Sequence, residues 1–323
     1  MISGLDIFLP ISVLVFVATV TTYFSAKRFL NKRIELARAT LRRTRKYKFE
    51  KLEEADFPKG DELNALVRQV YRTGQVLERE IRQLHRVENY RRVFIGNVSH
   101  ELKTPVFAIQ GFAETLLDGA IEDENANRAF VEKILHNAER LNNLAGDLIE
   151  ISRLESGELQ MTVEPFNLGE IVSDIIESLE QKAKKNRVTL RSSIPPNLPT
   201  VVGDPNHIRQ VLVNLIDNAL KYTDAGGTVN VAAVKESDGT VGISISDTGI
   251  GIAKKYIPRL TERFYRTDQS RSRSAGGTGL GLAIVKHILA AHKQQLTITS
   301  EPDIGSSFQF SLPLATRARR AVD

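Results

Sequence analysis

The sequence predicts a multi-domain chain: a transmembrane helix, an all-α helical hairpin and an α/β (α+β) domain. Three observations carry that expectation. Residues 5–24, LDIFLPISVLVFVATVTTYF, are apolar apart from Asp6 and a few hydroxyls. Between residues 63 and 151, apolar side chains recur at steps of four and three, the spacing of helices that pack along a partner helix. From about Val163, short runs of period two alternate with helical stretches.

The apolar run is about long enough to cross the ~30 Å of a bilayer's hydrocarbon as a helix. A cleaved signal peptide is the competing reading. It is opposed by the lack of a basic residue before the run and by the dense basic cluster after it. Lys27, Arg28, Lys32 and Arg33 place the downstream side in the cytoplasm. About five residues would then face outward, too few for an external sensing domain. Residues 27–48 hold ten Lys and Arg against one acid, Glu35, whereas the whole chain of 323 residues carries +5. The remainder is therefore net acidic, which favours membrane lipids over direct nucleic acid as the partner of the basic segment; a solvated charged helix is the plainer alternative. Without cysteine, disulfides, thiolate metal sites and cysteine nucleophiles are excluded.

After a break at residues 56–60, Leu63, Val67, Val70, Leu77, Ile81, Leu84, Ile95, Val98 and Leu102 form one stripe, interrupted at Gly74, Glu88 and Arg91. His100 lies about 200° around the helix from Val98 and is expected to be exposed. Asp118-Gly119 supplies a stop. A second stripe follows: Phe130, Ile134, Leu141, Leu144, Leu148 and Ile151, ending at Ser156-Gly157. Two such helices form a hairpin whose stripes are half covered, and a symmetric dimer that makes a four-helix bundle covers them. Beyond it, strands are expected at residues 188–191, 229–232, 241–245, 296–299 and 307–310, with a hairpin at Asp238-Gly239. Helices are expected at 206–222 and 281–292. Residues 252–276 form a long polar stretch with Arg259, Arg263, Arg266, Arg271 and Arg273, either disordered or a functional lid.

Four patterns carry chemistry. Ser99-His100-Glu101-Leu102-Lys103-Thr104-Pro105 sets an exposed imidazole beside a carboxylate, a hydroxyl and a helix-bending proline. Asn214, Asn218 and Lys221 share one helix face, with Tyr222 following; amide oxygens suit Mg²⁺ and an ammonium suits phosphate. In Asp247-Thr248-Gly249-Ile250-Gly251 a carboxylate at a strand end precedes two glycines that let backbone approach a ligand. Gly276-Gly277-Thr278-Gly279-Leu280-Gly281 opens the last helix, where free N–H groups can cradle phosphate. Each alone admits an ordinary reading: a surface histidine, a polar helix face, an Asp-rich turn, a Gly-rich loop.

In this order, the four resemble the boxes of bacterial two-component sensor histidine kinases. The similarity runs from about Asn89 to Leu314 and includes Phe264-Tyr265-Arg266. The wording of residues 257–266 is most similar to the phosphate-regulon sensor subgroup. The residues themselves suggest a transmembrane anchor at 1–26 and a basic juxtamembrane and helical linker at 27–88, and the resemblance implies a dimerisation and histidine phosphotransfer domain at 89–158. It further implies an ATP-binding sandwich of the histidine kinase/Hsp90-like type at 163–315 and a basic tail at 316–323. The linker resembles a HAMP module but lacks that module's early proline.

The implied activity is that of a protein-histidine kinase in the bacterial inner membrane. It would autophosphorylate His100 from ATP, pass the group to an aspartate of a response regulator, and also dephosphorylate that partner. A non-catalytic scaffold or phosphatase-dominant regulator is the alternative. Glu101 would polarise the imidazole and Thr104 would position water. Asn218 would bind Mg²⁺ with support from Asn214, Lys221 and Arg266 would meet phosphates, Tyr222 would line the base pocket and Asp247 would recognise the adenine amino group. Gly249, Gly251, Phe264, Gly277, Thr278, Gly279, Leu280 and Gly281 would complete the nucleotide site.

Overall fold

The computed structural model describes residues 5–45, 62–156, 161–267 and 278–315. The break expected at 56–60, the basic tail, Gly277, Arg271 and Arg273 lie outside these residues, as do the side chains of Leu63, Val67 and Val70. The chain divides into two compact units, Met1–Val93 and Phe94–Asp323.

The first unit holds α1 (Leu5–Arg45) and the first half of α2 (Glu62–Leu117). Within α1, Ile11–Lys32 has a mean hydropathy of 1.3 and is long and apolar enough to cross a membrane. It contains residues 11–24 of the expected anchor. Its aliphatic and aromatic side chains are exposed in the protein itself, Leu14 and Phe16 at 73% and 70%. The hydroxyls of Thr19, Thr21 and Thr22 donate to the carbonyls of Val15, Val17 and Ala18 at 2.7, 2.8 and 2.7 Å, so they add no unsatisfied donor to the apolar helix. The basic cluster does not end α1, which continues through it to Arg45.

The second unit opens with the rest of α2 and α3 (Glu124–Ser156). Gly119, at φ 116°, and the short turn Ala120–Glu122 connect them. The rings of Phe112 and Phe130 face each other at 5.8 Å between the two helices, confirming the hairpin. Pro105 lies inside α2 and is buried; its missing N–H leaves the Glu101 carbonyl without a helical donor. The two stripes have different fates. Leu84 and Ile95 of α2 remain 66% and 53% exposed, whereas Leu144 and Ile151 of α3 are 2% and 1% exposed. Both belong to the apolar cluster that forms the α/β core, and α3 packs against the last helix of that domain. The lower half of the second stripe thus faces its own α/β domain, a correction to the expectation that it serves a dimer seam alone.

The α/β domain is a two-layer sandwich. Its five-stranded sheet runs β2 (Thr189–Ser193), β4 (Thr228–Lys235), β5 (Thr240–Asp247), β7 (Gly305–Pro313), β6 (Thr297–Glu301). Only β2 and β4 pair in parallel. All five expected strands are present, and Gly239 at φ 83° turns β4 into β5. Val229, Val231, Ala233, Val241, Ile243, Ile245, Phe308, Phe310 and Leu312 point to one face and are buried. Covering that face are α4 (Leu168–Asn186), α5 (Pro205–Tyr222) and α6 (Gly281–Ala291). Two features escaped the sequence reading: α4, and the small sheet of β1 (Glu164–Phe166) with β3 (Val201–Gly203).

Helix α5 is set by its cap and its stripe. Asp204 Oδ1 accepts from the N–H groups of Asn206 and His207 at 3.0 and 3.1 Å, with Pro205 in the first turn. Its Oδ2 accepts from Thr162 N at 2.8 Å and lies 3.0 Å from His207 Nδ1. His292 Nε2 accepts from Asp204 N at 2.9 Å, so its Nδ1 carries the proton and donates to Ile288 O at 2.8 Å. One capping residue therefore joins α5, α6 and the chain arriving from α3. Burial pushes the Asp204 carboxyl up, but the hydrogen bonds from His207 and Thr162 outweigh it and hold the carboxyl below the usual 3.8. Its stabilising contribution is present above about pH 4 and lost as pH falls through the depressed value. Asp204→Ala is expected to cost about 2 kcal/mol in urea unfolding, and Asp204→Asn to flatten the acid limb of the stability profile.

Candidate active site

Seven α5 residues, Ile208, Val211, Leu212, Leu215, Ile216, Ala219 and Leu220, are buried, six of them at 0% exposure and Ala219 at 2%. Each large member contributes about 1.5–3 kcal/mol when fully buried, so the rotation of α5 about its axis is fixed. The opposite face carries Asn214, Asp217, Asn218 and Lys221 into a cavity of about 1000 Å³ between α5 and α3. Asn214 and Asn218 are half-buried, and their side-chain amides make no hydrogen bond to the protein among the described residues.

The cavity floor is the end of β5. Asp247 Oδ1 accepts from Gly249 N at 2.9 Å and Ser306 N at 3.2 Å, which leaves Oδ2 for a ligand. Burial raises the carboxyl above 3.8, and those two N–H bonds only partly offset it. The glycines are required by close approach. A Cβ on Gly249 would stand 2.4 Å from Tyr222 O, and one on Gly251, at φ +61°, 1.9 Å from Glu301 O. Ile250 N donates to Tyr222 O at 3.2 Å, fastening this loop to the end of α5. Gly279, at φ +72°, lies against the Phe264 backbone, whose N–H donates to Gly279 O at 2.9 Å.

Cations gather on the same cavity. Arg140, Lys182, Lys221 and Arg266 all line it. The Lys221 ammonium is pushed down to about 8, first by burial and then by the Arg266 guanidinium. Such a field suits a polyanion.

The fold is shared with known proteins. Residues 90–157 match the His Kinase A (phospho-acceptor) domain, and residues 203–316 match the histidine kinase-, DNA gyrase B- and HSP90-like ATPase family. The chain is 40% identical over 228 residues to the sensor-like histidine kinase SenX3 of Mycolicibacterium smegmatis, covering 71% of this chain and 59% of that protein. It is 38% identical over 237 residues to the phosphate regulon sensor protein PhoR of Pseudomonas aeruginosa, covering 72% and 52%. The chain belongs to the two-component sensor histidine kinases. Among solved structures, the histidine kinase AdeS of Acinetobacter baumannii aligns with a TM-score of 0.55 at 27% identity, over 67% of this chain and 98% of AdeS. The chain spans between half and three-fifths of the length of these two relatives.

Among the residues that the histidine kinase motifs point to, the cavity gathers Asn214, Asn218, Lys221, Tyr222, Asp247, Gly251, Arg266, Thr278, Gly279 and Gly281. Gly249 supports the floor from outside, Leu280 is fully buried beneath it, and the Phe264 ring lies 5.7 Å from that of Phe94 of α2 at a tilt of 49°, with Arg263 over the Phe94 ring. His100 is exposed on α2, as its phase on the helix requires, and is not part of the cavity wall. The Glu101 carboxylate accepts from Arg140 Nη2 at 2.9 Å. Thr104 Oγ1 donates to the His100 carbonyl at 3.2 Å.

Sequence reasoning missed the contribution of α3. Thr278 Oγ1 donates to Asp147 Oδ2 at 2.8 Å, and Gln210 donates to Glu150. Burial raises both carboxyls, with those hydrogen bonds opposing. Only the acidic and polar residues crowding the later turns of α3 hinted at a second polar face.

The depressed Lys221 value gives a pH signature. Above about pH 8 the empty site loses its ammonium, so affinity for a phosphate ligand falls as pH rises through that value. Phosphate binding restores the charge. Calorimetric titration with a nucleotide near pH 8, in buffers of different ionisation enthalpy, is expected to show net proton uptake, lost in Lys221→Met.

Proposed function

We propose that this chain is a membrane-anchored, dimeric protein-histidine kinase that phosphorylates His100 from ATP and passes the group to an aspartate of a response regulator. One observation carries the reading: the outward face of α5, the Asp247 carboxylate and the glycines at the head of α6 converge on a single cavity lined by four cations. Membership of an ATP-binding family supports the choice of nucleotide. The exposed apolar residues of the hairpin, such as Ile95, Leu117 and Leu135 at 53, 82 and 58%, support a homodimer whose second hairpin covers them. Ile11–Lys32 supports the anchor, and the basic residues that follow support contact with anionic membrane lipids.

In this reading Asp247 Oδ2 accepts from the adenine amino group, and Tyr222 lines the base pocket. Lys221 and Arg266 face the phosphates, and the first N–H groups of α6 add donors beside Gly279 and Gly281. The donor set also fits Mg²⁺. Asn218, supported by Asn214, offers a hard amide oxygen not engaged by protein, and among the described residues no group of three or more acids and histidines holds a metal by itself. The ion would enter with the phosphates and supply charge neutralisation. A His100 ring nitrogen attacks the γ-phosphorus as the bond to the β-phosphate bridging oxygen breaks, and ADP leaves with the electron pair. Glu101 accepts the other ring N–H and stabilises the cation formed. Since His100 stands outside the cavity wall, the α/β domain must shift relative to the hairpin, or His100 must come from the partner copy. Thr104 is suited to orient water for the reverse reaction on the regulator once its hydroxyl leaves the His100 carbonyl.

Incubation of the full chain with γ-labelled ATP and Mg²⁺ is expected to give acid-labile, alkali-stable label that His100→Gln abolishes. Release of phosphate without protein label would instead identify a conformational ATPase. Asn218→Asp is expected to lower labelling more than about tenfold, a loss of over about 1.4 kcal/mol in transition-state stabilisation, and retained labelling would remove its metal role. Binding of nucleotide without labelling, combined with dephosphorylation of a phosphorylated receiver domain, would favour the scaffold or phosphatase reading.

A further inference from the structure

Arg140 occupies two places at once. It lines the cavity that faces Lys221 and Arg266, and its Nη2 donates to Glu101 Oε2 at 2.9 Å across the hairpin. Glu101 is the immediate neighbour of His100. One guanidinium therefore connects the candidate phosphate site to the carboxylate beside the phosphoacceptor.

We infer that Arg140 is a positioning residue that senses the terminal phosphate: a nucleoside triphosphate in the cavity competes with Glu101 for the guanidinium and so releases the carboxylate to His100. The inference rests on the kinase reading above. Three observations support it. The Arg140–Glu101 pair is partly exposed on both sides, 26% and 25%, and ion pairs of that kind are weak enough for a more highly charged competitor to displace. A guanidinium takes carboxylate or phosphate through the same planar fork, so a phosphate can replace the carboxylate that Nη2 now holds. Arg140 also belongs to the hairpin that carries His100, so the phosphate that meets it is the one that travels toward that hairpin.

Charge bookkeeping on the cavity agrees. Lys182 is neutralised by Asp217, and Arg140 by Glu101. Arg140 and Lys182 both bear on the Lys221 ammonium, which places the three cations in one field. A triphosphate brings enough negative charge to satisfy Lys221, Arg266 and Arg140 together; a diphosphate has one group fewer. With Arg140 so engaged, Glu101 is no longer held across the hairpin and becomes available to the imidazole. Without the terminal phosphate the carboxylate is held away, which keeps His100 inactive toward a site containing only product.

The test uses the full chain in detergent micelles, with Mg²⁺, ADP and a non-hydrolysable β,γ-substituted ATP analogue as probes. Arg140→Gln is expected to weaken the analogue about fivefold and leave ADP within about twofold. Glu101→Gln, which breaks the same ion pair, is expected to act in the opposite direction, tightening the analogue about threefold with ADP again unchanged. Arg140→Lys should recover part of the affinity. A merely structural ion pair would move both variants in one direction, or move ADP and the analogue equally, and either result overturns the inference while leaving the kinase reading intact. If the unaltered chain binds neither nucleotide, both fall together.

Discussion

The burial of one stripe of α5 is the constraint on which the rest depends. Val211, Leu212, Leu215 and Ile216 have no exposure, packed over the sheet and against α4 and α6. Turning α5 by one residue position, about 100°, would drive Asn214 or Asn218 into that core and cost far more than their pairing with any ligand could return. The polar face therefore has no choice of direction. It meets the end of β5, where Asp247 is held by two backbone N–H groups, and the head of α6, where Gly279 and Gly281 let backbone close in. The cavity follows from core packing and needs no separate source of stability.

The N-cap of α5 extends this constraint beyond the helix. Asp204 holds the first turn, the backbone at Thr162 and, through its own N–H, His292 at the end of α6. The chain that leaves the hairpin is thus fastened to the helix that carries the polar face of the cavity. Polar contacts from α3, through Asp147 and Glu150, meet Thr278 and Gln210 on the other side. A shift of the hairpin relative to the α/β domain must break these hydrogen bonds, all of them between groups that water can also satisfy. This makes the arrangement firm in its pieces and adjustable between them.

Much of this was legible in the residues. Heptad phase placed His100 on the exposed side of α2, and period-two alternation located every strand of the large sheet, because both patterns record burial directly. Three of the four motifs gather on one cavity, with Gly277 outside the described residues, while the stretch around His100 stands apart from it. Helix α4 was missed although its signals were present: Leu168, Ile171, Val172, Ile175 and Leu179 recur at helical spacing, and Asn167 caps Gly169 N while meeting Glu170. Its run of β-branched residues masks the period. The short β1 and β3 strands carry only three residues each and pair across the intervening α4 and β2. The roles of Arg140, Asp147 and Glu150 were not legible at all, since each depends on a tertiary approach between α3 and groups 39 to 131 residues away.

The central claim is that the outward face of α5 is the nucleotide site. Backbone amide shifts of the isotope-labelled chain, followed by nuclear magnetic resonance during titration with a non-hydrolysable ATP analogue and Mg²⁺, test it most directly. The account predicts the largest changes at Asn214–Tyr222, Asp247–Gly251 and Thr278–Gly281. Saturable changes confined to other surfaces, with α5 silent, would contradict it.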